Sequence, residues 1–284
     1  MLAAGDDVRL IAGGQTLVPL MAMRLARPKR LIDIARIAEL AFVRGEPDAV
    51  VIGATTKQCI LERDPLIRGQ VPLLAKVMPF VGHAPIRARG TIGGSLANAD
   101  PAAEIALAAI ILDATVVYRD GDKEVEIRAF DFLTGPMMTV LSPSSCLTCV
   151  RFPIWREARM GVGFHEVSAR RSDFAFASAG AQIALDENSA CRRLALGVGA
   201  VTSVPLRLDT LARTLEGREG YAFEGGAAEQ SKLRDAVAAA IAEIEPLSDL
   251  HASADYRRRA ATTLLMRAIA DAYRTAKGRA IRAH

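Results

Sequence analysis

The stretch GTIGGSLANADPAAE, residues 90–104, places a Gly-Gly pair, a serine, an asparagine and two acids directly ahead of the apolar run IALAAIIL. Two successive glycines let the backbone reach positive φ and approach a ligand with no Cβ in the way, so that neighbouring N–H groups converge on one anion. A second pair sits in LIAGGQTLVPL, residues 10–20. Each pair precedes an expected helix, an arrangement that favours phosphate. One such loop alone is commonly an ordinary turn, whereas two suggest an extended dinucleotide with its diphosphate between them. Neither segment matches G-x-G-x-x-G, and no G-x-x-x-x-G-K-[ST] occurs, which argues against Rossmann and P-loop nucleotide sites.

Outward from these loops, the pattern alternates short elements. Val8 to Ala12 reads as a strand running into Gly13-Gly14, followed by a helical turn that ends before Pro28; LIDI at 31–34 and AVVIGATT at 49–56 read as further strands. Between Lys57 and Met78, Pro65 and Pro72 divide short helical pieces. Pro101 to Leu112 is expected to be a helix with Asp100 as its N-cap. TVVYRDGDKEVEIR, residues 115–128, reads as a hairpin turning at Asp120-Gly121-Asp122. Strand signals recur at 145–152, 163–169, 174–185 and 194–201, with a polar, glycine-bearing interruption at 153–163 that suits a domain boundary. Leu233, Val237, Ile241 and Ile244 mark one face of a helix, and Leu265, Ile269 and Tyr273 mark another running from about 254 to 276. Strands followed by helices point to an α+β fold.

The bulk composition narrows the function classes. A chain of 284 residues, 51% hydrophobic and 24% charged, is long enough for one large or two ordinary domains. Its net charge of +4 is spread among nearly as many acids as bases, which gives no support to nucleic acid as a partner. The run Arg257-Arg258-Arg259 is expected to be a solvated helix face or a subunit contact. No stretch reaches the length of a membrane span and MLAAGDDVRL lacks a leader pattern, so a cytoplasmic protein with reduced thiols is expected. Cys146 and Cys149 form a C-x-x-C without a second half, in a strand-like segment where thiols pack well. His83, His165, His251 and His284 are too dispersed to form a metal motif, and no catalytic triad is visible.

Four segments in order, AGGQTLVPLMAMRLARPKRLIDI, IRARGTIGGSLANADPAAEIALAAIILDATV, EVSARRSDFAFASAGAQI and DLHASADYRRRAATTLL, resemble the FAD-binding subunit of the molybdenum hydroxylases, the family of aerobic carbon monoxide dehydrogenase and xanthine dehydrogenase. The resemblance covers almost the whole chain. It implies a two-part FAD-binding domain of the vanillyl-alcohol-oxidase/PCMH type over residues 1–155, with subdomains 1–55 and 56–155. A C-terminal α+β domain with an antiparallel sheet and helices follows over 160–284. It further implies that Ala12, Gly13, Gly14, Gln15, Thr16 and Leu17, together with Thr91, Ile92, Gly93, Gly94 and Ser95, clasp the FAD diphosphate through backbone N–H groups. Glu104 matches a family acid that contacts the cofactor, and Asn98 and Asp100 lie in the same motif. Val81 and Gly82 match a contact on the flavin side, and Arg171 and Asp173 belong to a C-terminal motif facing the flavin region.

By the same resemblance FAD is bound non-covalently and no catalytic residue is needed. The molybdenum cofactor and [2Fe-2S] clusters belong to a large molybdenum subunit and an iron–sulfur subunit, in a dimer of heterotrimers. The family carries a further strand and most of a helix ahead of the first glycine loop, which implies either a start assigned too late or a shortened first subdomain, the latter with weaker packing behind Gly13-Gly14 and weaker FAD binding. Two rival readings stay open from the residues: a self-contained FAD-dependent oxidoreductase, and a non-enzymatic assembly or binding protein that has lost FAD.

Overall fold

The structure, a computed structural model, describes residues 7–279. Residues up to Asp100 together with Asp113–Ile154 form one compact unit; Pro101–Leu112 together with Trp155 onward form a second. The expected shortening of the first subdomain concerns residues ahead of those described.

In the first unit, β1 (Val8–Ile11), α1 (Leu17–Ala22) and β2 (Arg30–Asp33) make a parallel β-α-β turn in which Ile11 pairs with Asp33. Next come β3 (Val43–Gly45) and β4 (Ala49–Gly53), then the short helices α2 (Gln58–Arg63), α3 (Pro65–Gln70), α4 (Pro72–Val77), α5 (Ala84–Arg87) and α6 (Ile92–Asn98). Pro65 and Pro72 stand in the first turns of α3 and α4, where a missing N–H costs nothing, and the Asp64 side chain caps α3. After α7 (Glu104–Ile111), which packs in the second unit, the chain returns for β5 (Thr115–Asp120), β6 (Lys123–Arg128), α8 (Ala129–Phe132), β7 (Leu133–Gly135), β8 (Met138–Thr139) and β9 (Ser145–Pro153). A five-stranded antiparallel sheet of order β3-β4-β9-β5-β6 forms the backing, and every residue of β4 is buried.

The second unit is an antiparallel meander of β10 (Arg159–Ser168), β11 (Ala175–Leu185), β12 (Cys191–Gly199) and β13 (Leu206–Arg207), with α9 (Asp209–Leu215), α10 (Tyr221–Glu224), α11 (Ala227–Ala242) and α12 (Ala254–Arg279) after it. On one face of β10, a Cβ at Gly161 or Gly163 would strike the α12 backbone at Ala272, Ala276 or Ala268, so the helix rests directly on the sheet. His165 continues that face and meets Asp271 of α12 at 2.8 Å. The opposite face carries α7: Gly197 and Gly199 leave room for its Ile111 and Leu107.

Two expectations need correction. The helix expected from Pro101 begins at Glu104 with Ala103 as its N-cap, because Ala99 takes a left-handed φ of 52° that ends α6 and leaves Asp100 to Ala102 as a linker. That linker and helix cluster with the second compact unit, and all eight residues of α7 are buried. Arg257 is 4% exposed rather than solvated: its guanidinium donates to the Phe176 carbonyl at 2.6 Å, to the Ala200 carbonyl, and to Asp249 at 2.7 Å.

Among the described residues no helix is long and apolar enough to cross a membrane. The Arg257 staple joins the first turn of α12 to two strand ends, so Arg257→Met removes this donor from the Phe176 and Ala200 carbonyls, while Asp249 keeps only its bonds from the His251 and Ala252 N–H groups. This substitution is expected to cost about 3 kcal/mol and to lower the melting temperature of the purified chain, read by circular dichroism.

Candidate functional site

The first glycine loop is held from behind. Gly13 lies so close to the Arg89 carbonyl and the Gly90 Cα that a Cβ would overlap both, and Gly14 takes a φ of +70°, which disfavours any side chain. The Gln15 side chain folds back to donate to the Gly13 carbonyl at 3.0 Å. The loop carbonyls therefore have work: Gly14 accepts from Val18 N–H and Thr16 from Leu20 N–H. The N–H groups of Gly13, Gly14, Gln15, Thr16 and Leu17 meet no acceptor among the described residues. This is an open row of donors, the feature that selects an anion.

The second glycine pair differs. Gly93 and Gly94 do not precede a helix but form the first turn of α6, with Thr91 as N-cap. Their donors are spent inside the protein: Ile92 N–H on the Thr56 carbonyl (3.1 Å), Gly93 N–H on the Ala54 carbonyl (2.9 Å), Gly94 N–H on the Thr91 hydroxyl (3.0 Å) and Ser95 N–H on the Thr91 carbonyl (3.1 Å). A Cβ at Gly93 would sit 2.7 Å from Ala54, so this glycine permits close packing on the chain leaving β4. What α6 offers a ligand is the Ser95 hydroxyl and the Asn98 amide, both half-buried.

The remaining predicted residues divide between the units. Ala12 leads into the open loop and Asp100 follows α6. Val81 and Gly82 turn with a φ of +48° at Gly82, and both carbonyls accept from the Arg87 guanidinium, which pairs with Glu62 at 3.0 Å. A cleft of about 620 Å³ beside them is lined by Glu62, Arg63, Asp64 and Arg87, equal numbers of acids and bases, and includes neither glycine loop.

Glu104, Arg171 and Asp173 belong to the second unit. Arg171 and Asp173 are exposed in the β10–β11 connection, where Asp173 N–H closes a turn on the Arg170 carbonyl at 3.1 Å. Glu104 is buried at the start of α7. Cross-strand pairs Glu166–Ser178 and Ser178–Gly199 bring Glu166 to the same sheet face, over which Leu107 of α7 packs.

Residues 1–155 match the FAD binding domain in molybdopterin dehydrogenase, and residues 163–272 match the CO dehydrogenase flavoprotein C-terminal domain. The chain belongs to the FAD-binding subunits of the molybdenum hydroxylases.

This oxidoreductase subunit is 33% identical over 273 residues to the alpha subunit of the 6-hydroxypseudooxynicotine dehydrogenase complex of Paenarthrobacter nicotinovorans, covering 96% of this chain and 89% of the relative. It is 32% identical over 267 residues to the carbon monoxide dehydrogenase medium chain of Hydrogenophaga pseudoflava, covering 93% and 89%. The quinoline 2-oxidoreductase structure from Pseudomonas putida 86 superposes with a TM-score of 0.88 at 31% identity over 97% of this chain and 92% of that one.

The residues fit FAD. A loop that packs its Gly13 backbone against the Arg89 carbonyl and leaves five N–H donors without an acceptor among the described residues suits a diphosphate. Two features escaped the sequence reading: the Gln15 bond that ties down the Gly13 carbonyl, and the ammonium of Lys57, which donates to the Arg89 carbonyl at 3.0 Å. Neither belongs to a periodic pattern. Cys146 and Cys149 lie on β9 as free thiols whose pKa burial raises, opposite to the shift a reactive thiolate needs. Among the described residues no group of three or more His, Cys, Asp or Glu is placed to hold a metal.

Burial, and then the charge of Glu104, pushes the Glu166 carboxyl up to about 8, and its Oε2 has no hydrogen-bond partner among the described residues. The folded chain keeps a proton that the unfolded chain releases near 4.5, so this group's contribution to stability is full at low pH and falls as pH rises toward about 8. Glu166→Gln, which fixes the neutral form, is expected to raise the melting temperature by a few degrees at pH 8 and by much less at pH 5. A melting series across this range checks the sign.

Proposed function

We propose that the chain holds FAD for electron transfer within a molybdenum-containing hydroxylase, between the iron–sulfur clusters of a partner subunit and an external acceptor. The observation that carries this reading is the open donor row from Gly13 to Leu17, backed by the Arg89 carbonyl. When bound, the flavin supplies the ability to take electrons singly and release them in pairs.

The chain's own residues bind and orient. The N–H groups of Gly13 to Leu17 neutralise the diphosphate, with the Ser95 hydroxyl and Asn98 amide as further polar contacts along α6. Thr91 is spent as a helix cap, and so holds α6 rather than the ligand. Val81 and Gly82 are fixed in shape by Arg87, which favours a steric role on the flavin side. Arg171, Asp173 and Glu104 are candidate contacts from the second unit. No acid or base of this chain is required, because hydroxylation belongs to the molybdenum cofactor of a large partner subunit.

The names of the relatives support assembly: one is a complex subunit and another a medium chain. An iron–sulfur subunit with [2Fe-2S] clusters and a large molybdenum subunit are the proposed partners, in a dimer of heterotrimers located in the cytoplasm.

Gentle affinity purification from the native cell tests this reading. The expected result is two co-purifying chains, one carrying iron and sulfide and one molybdenum, with flavin absorption that follows this chain and FAD released on denaturation. A folded complex without flavin, or a flavin-loaded chain reduced directly by an organic substrate on its own, contradicts it.

A further inference from the structure

The first glycine loop has donors but no charge of its own, and an FAD diphosphate brings two negative charges. A full positive charge stands beside the loop's backing through geometry rather than motif. Lys57 stands at the N-cap of α2, pinned on both sides: it bridges to Thr91 across an antiparallel contact, and the next residue, Gln58, donates its N–H to the Gly90 carbonyl at 2.9 Å. From there the side chain reaches the Arg89 carbonyl, Nζ to O 3.0 Å. Gly13 packs against that same carbonyl oxygen. The ammonium and the glycine loop therefore share one backbone oxygen. No carboxylate pairs with Lys57 among the described residues.

We propose that Lys57 is a binding residue for the FAD diphosphate, supplying the charge that the Gly13–Leu17 donor row lacks. The inference rests on the FAD reading above and extends it to a residue outside both glycine motifs. One bond to a carbonyl leaves two of the three ammonium protons for phosphate oxygens. Charge-assisted bonds of this kind are about twice as strong as neutral ones. Held by the Arg89 carbonyl, the side chain has already lost much of the freedom that a flexible lysine gives up on binding.

The test uses the full-length chain stripped of flavin, with FAD affinity read from quenching of flavin fluorescence over a salt series. Lys57→Gln keeps an N–H for the Arg89 carbonyl and removes the charge; Lys57→Arg keeps the charge. The expected result is wild-type affinity weakening with salt, about tenfold weaker binding with a flatter salt dependence for Lys57→Gln, and near-complete recovery for Lys57→Arg. Equal affinity and salt dependence in the wild type and Lys57→Gln overturn the role of Lys57 while leaving FAD binding in place. So does equal weakening in Gln and Arg variants, which marks a packing role only. A folded wild-type chain that binds no FAD overturns the underlying reading itself.

Discussion

The approach of the Gly13 backbone to the Arg89 carbonyl is the contact on which the candidate site depends. It joins the first β-α-β turn to the segment feeding α6, and it works only because neither partner places a side chain between them. Packed this way, the first loop leaves its N–H groups without an acceptor among the described residues, while Gln15 and the first turn of α1 occupy the carbonyls of Gly13, Gly14 and Thr16. The loop thereby offers more open donors than acceptors, and such a run discriminates by sign before it discriminates by shape. Behind Gly13 the packing comes from Arg89 and Gly90, and beside Gly14 from Ile11 and Val18.

A related use of small residues organises the second unit. Gly161 and Gly163 let α12 lie on the sheet at backbone distance, and on the other face Gly197 and Gly199 make room for the Ile111 and Leu107 side chains of α7. Burial of Leu265, Ile269 and Tyr273 along α12, at about 1.5–3 kcal/mol each, then stabilises an interface that is already close. The cost appears where polar groups are trapped. Arg257 answers it with bonds to two carbonyls and Asp249, whereas Glu166 answers it by holding a proton.

Patterns that repeat were legible in the sequence. The apolar faces of α11 and α12, the hairpin at Gly121, the prolines opening α3 and α4, and the four ordered family segments all rest on local spacing, and so did the α+β class. Features set by long-range partners were not. The sequence treats the two Gly-Gly pairs alike, yet Gly93 is explained by Ala54 and Gly94 by the hydroxyl of Thr91, contacts that appear only once β4 lies under α6. Asp100 has the chemistry of a helix cap, but the left-handed turn at Ala99 moves the helix start past it. Arg257 reads as one of three surface charges, because nothing local distinguishes it from Arg258 and Arg259.

Amide hydrogen exchange, followed by mass spectrometry with and without FAD, tests the asymmetry between the loops most directly. The account predicts that peptides covering Gly13 to Leu17 exchange fast in the flavin-free chain and slow markedly when FAD is added. Amides from Ile92 to Ser95 are slow in both states because their acceptors are internal. Protection arising at Ile92 to Ser95, with Gly13 to Leu17 unchanged by FAD, contradicts it.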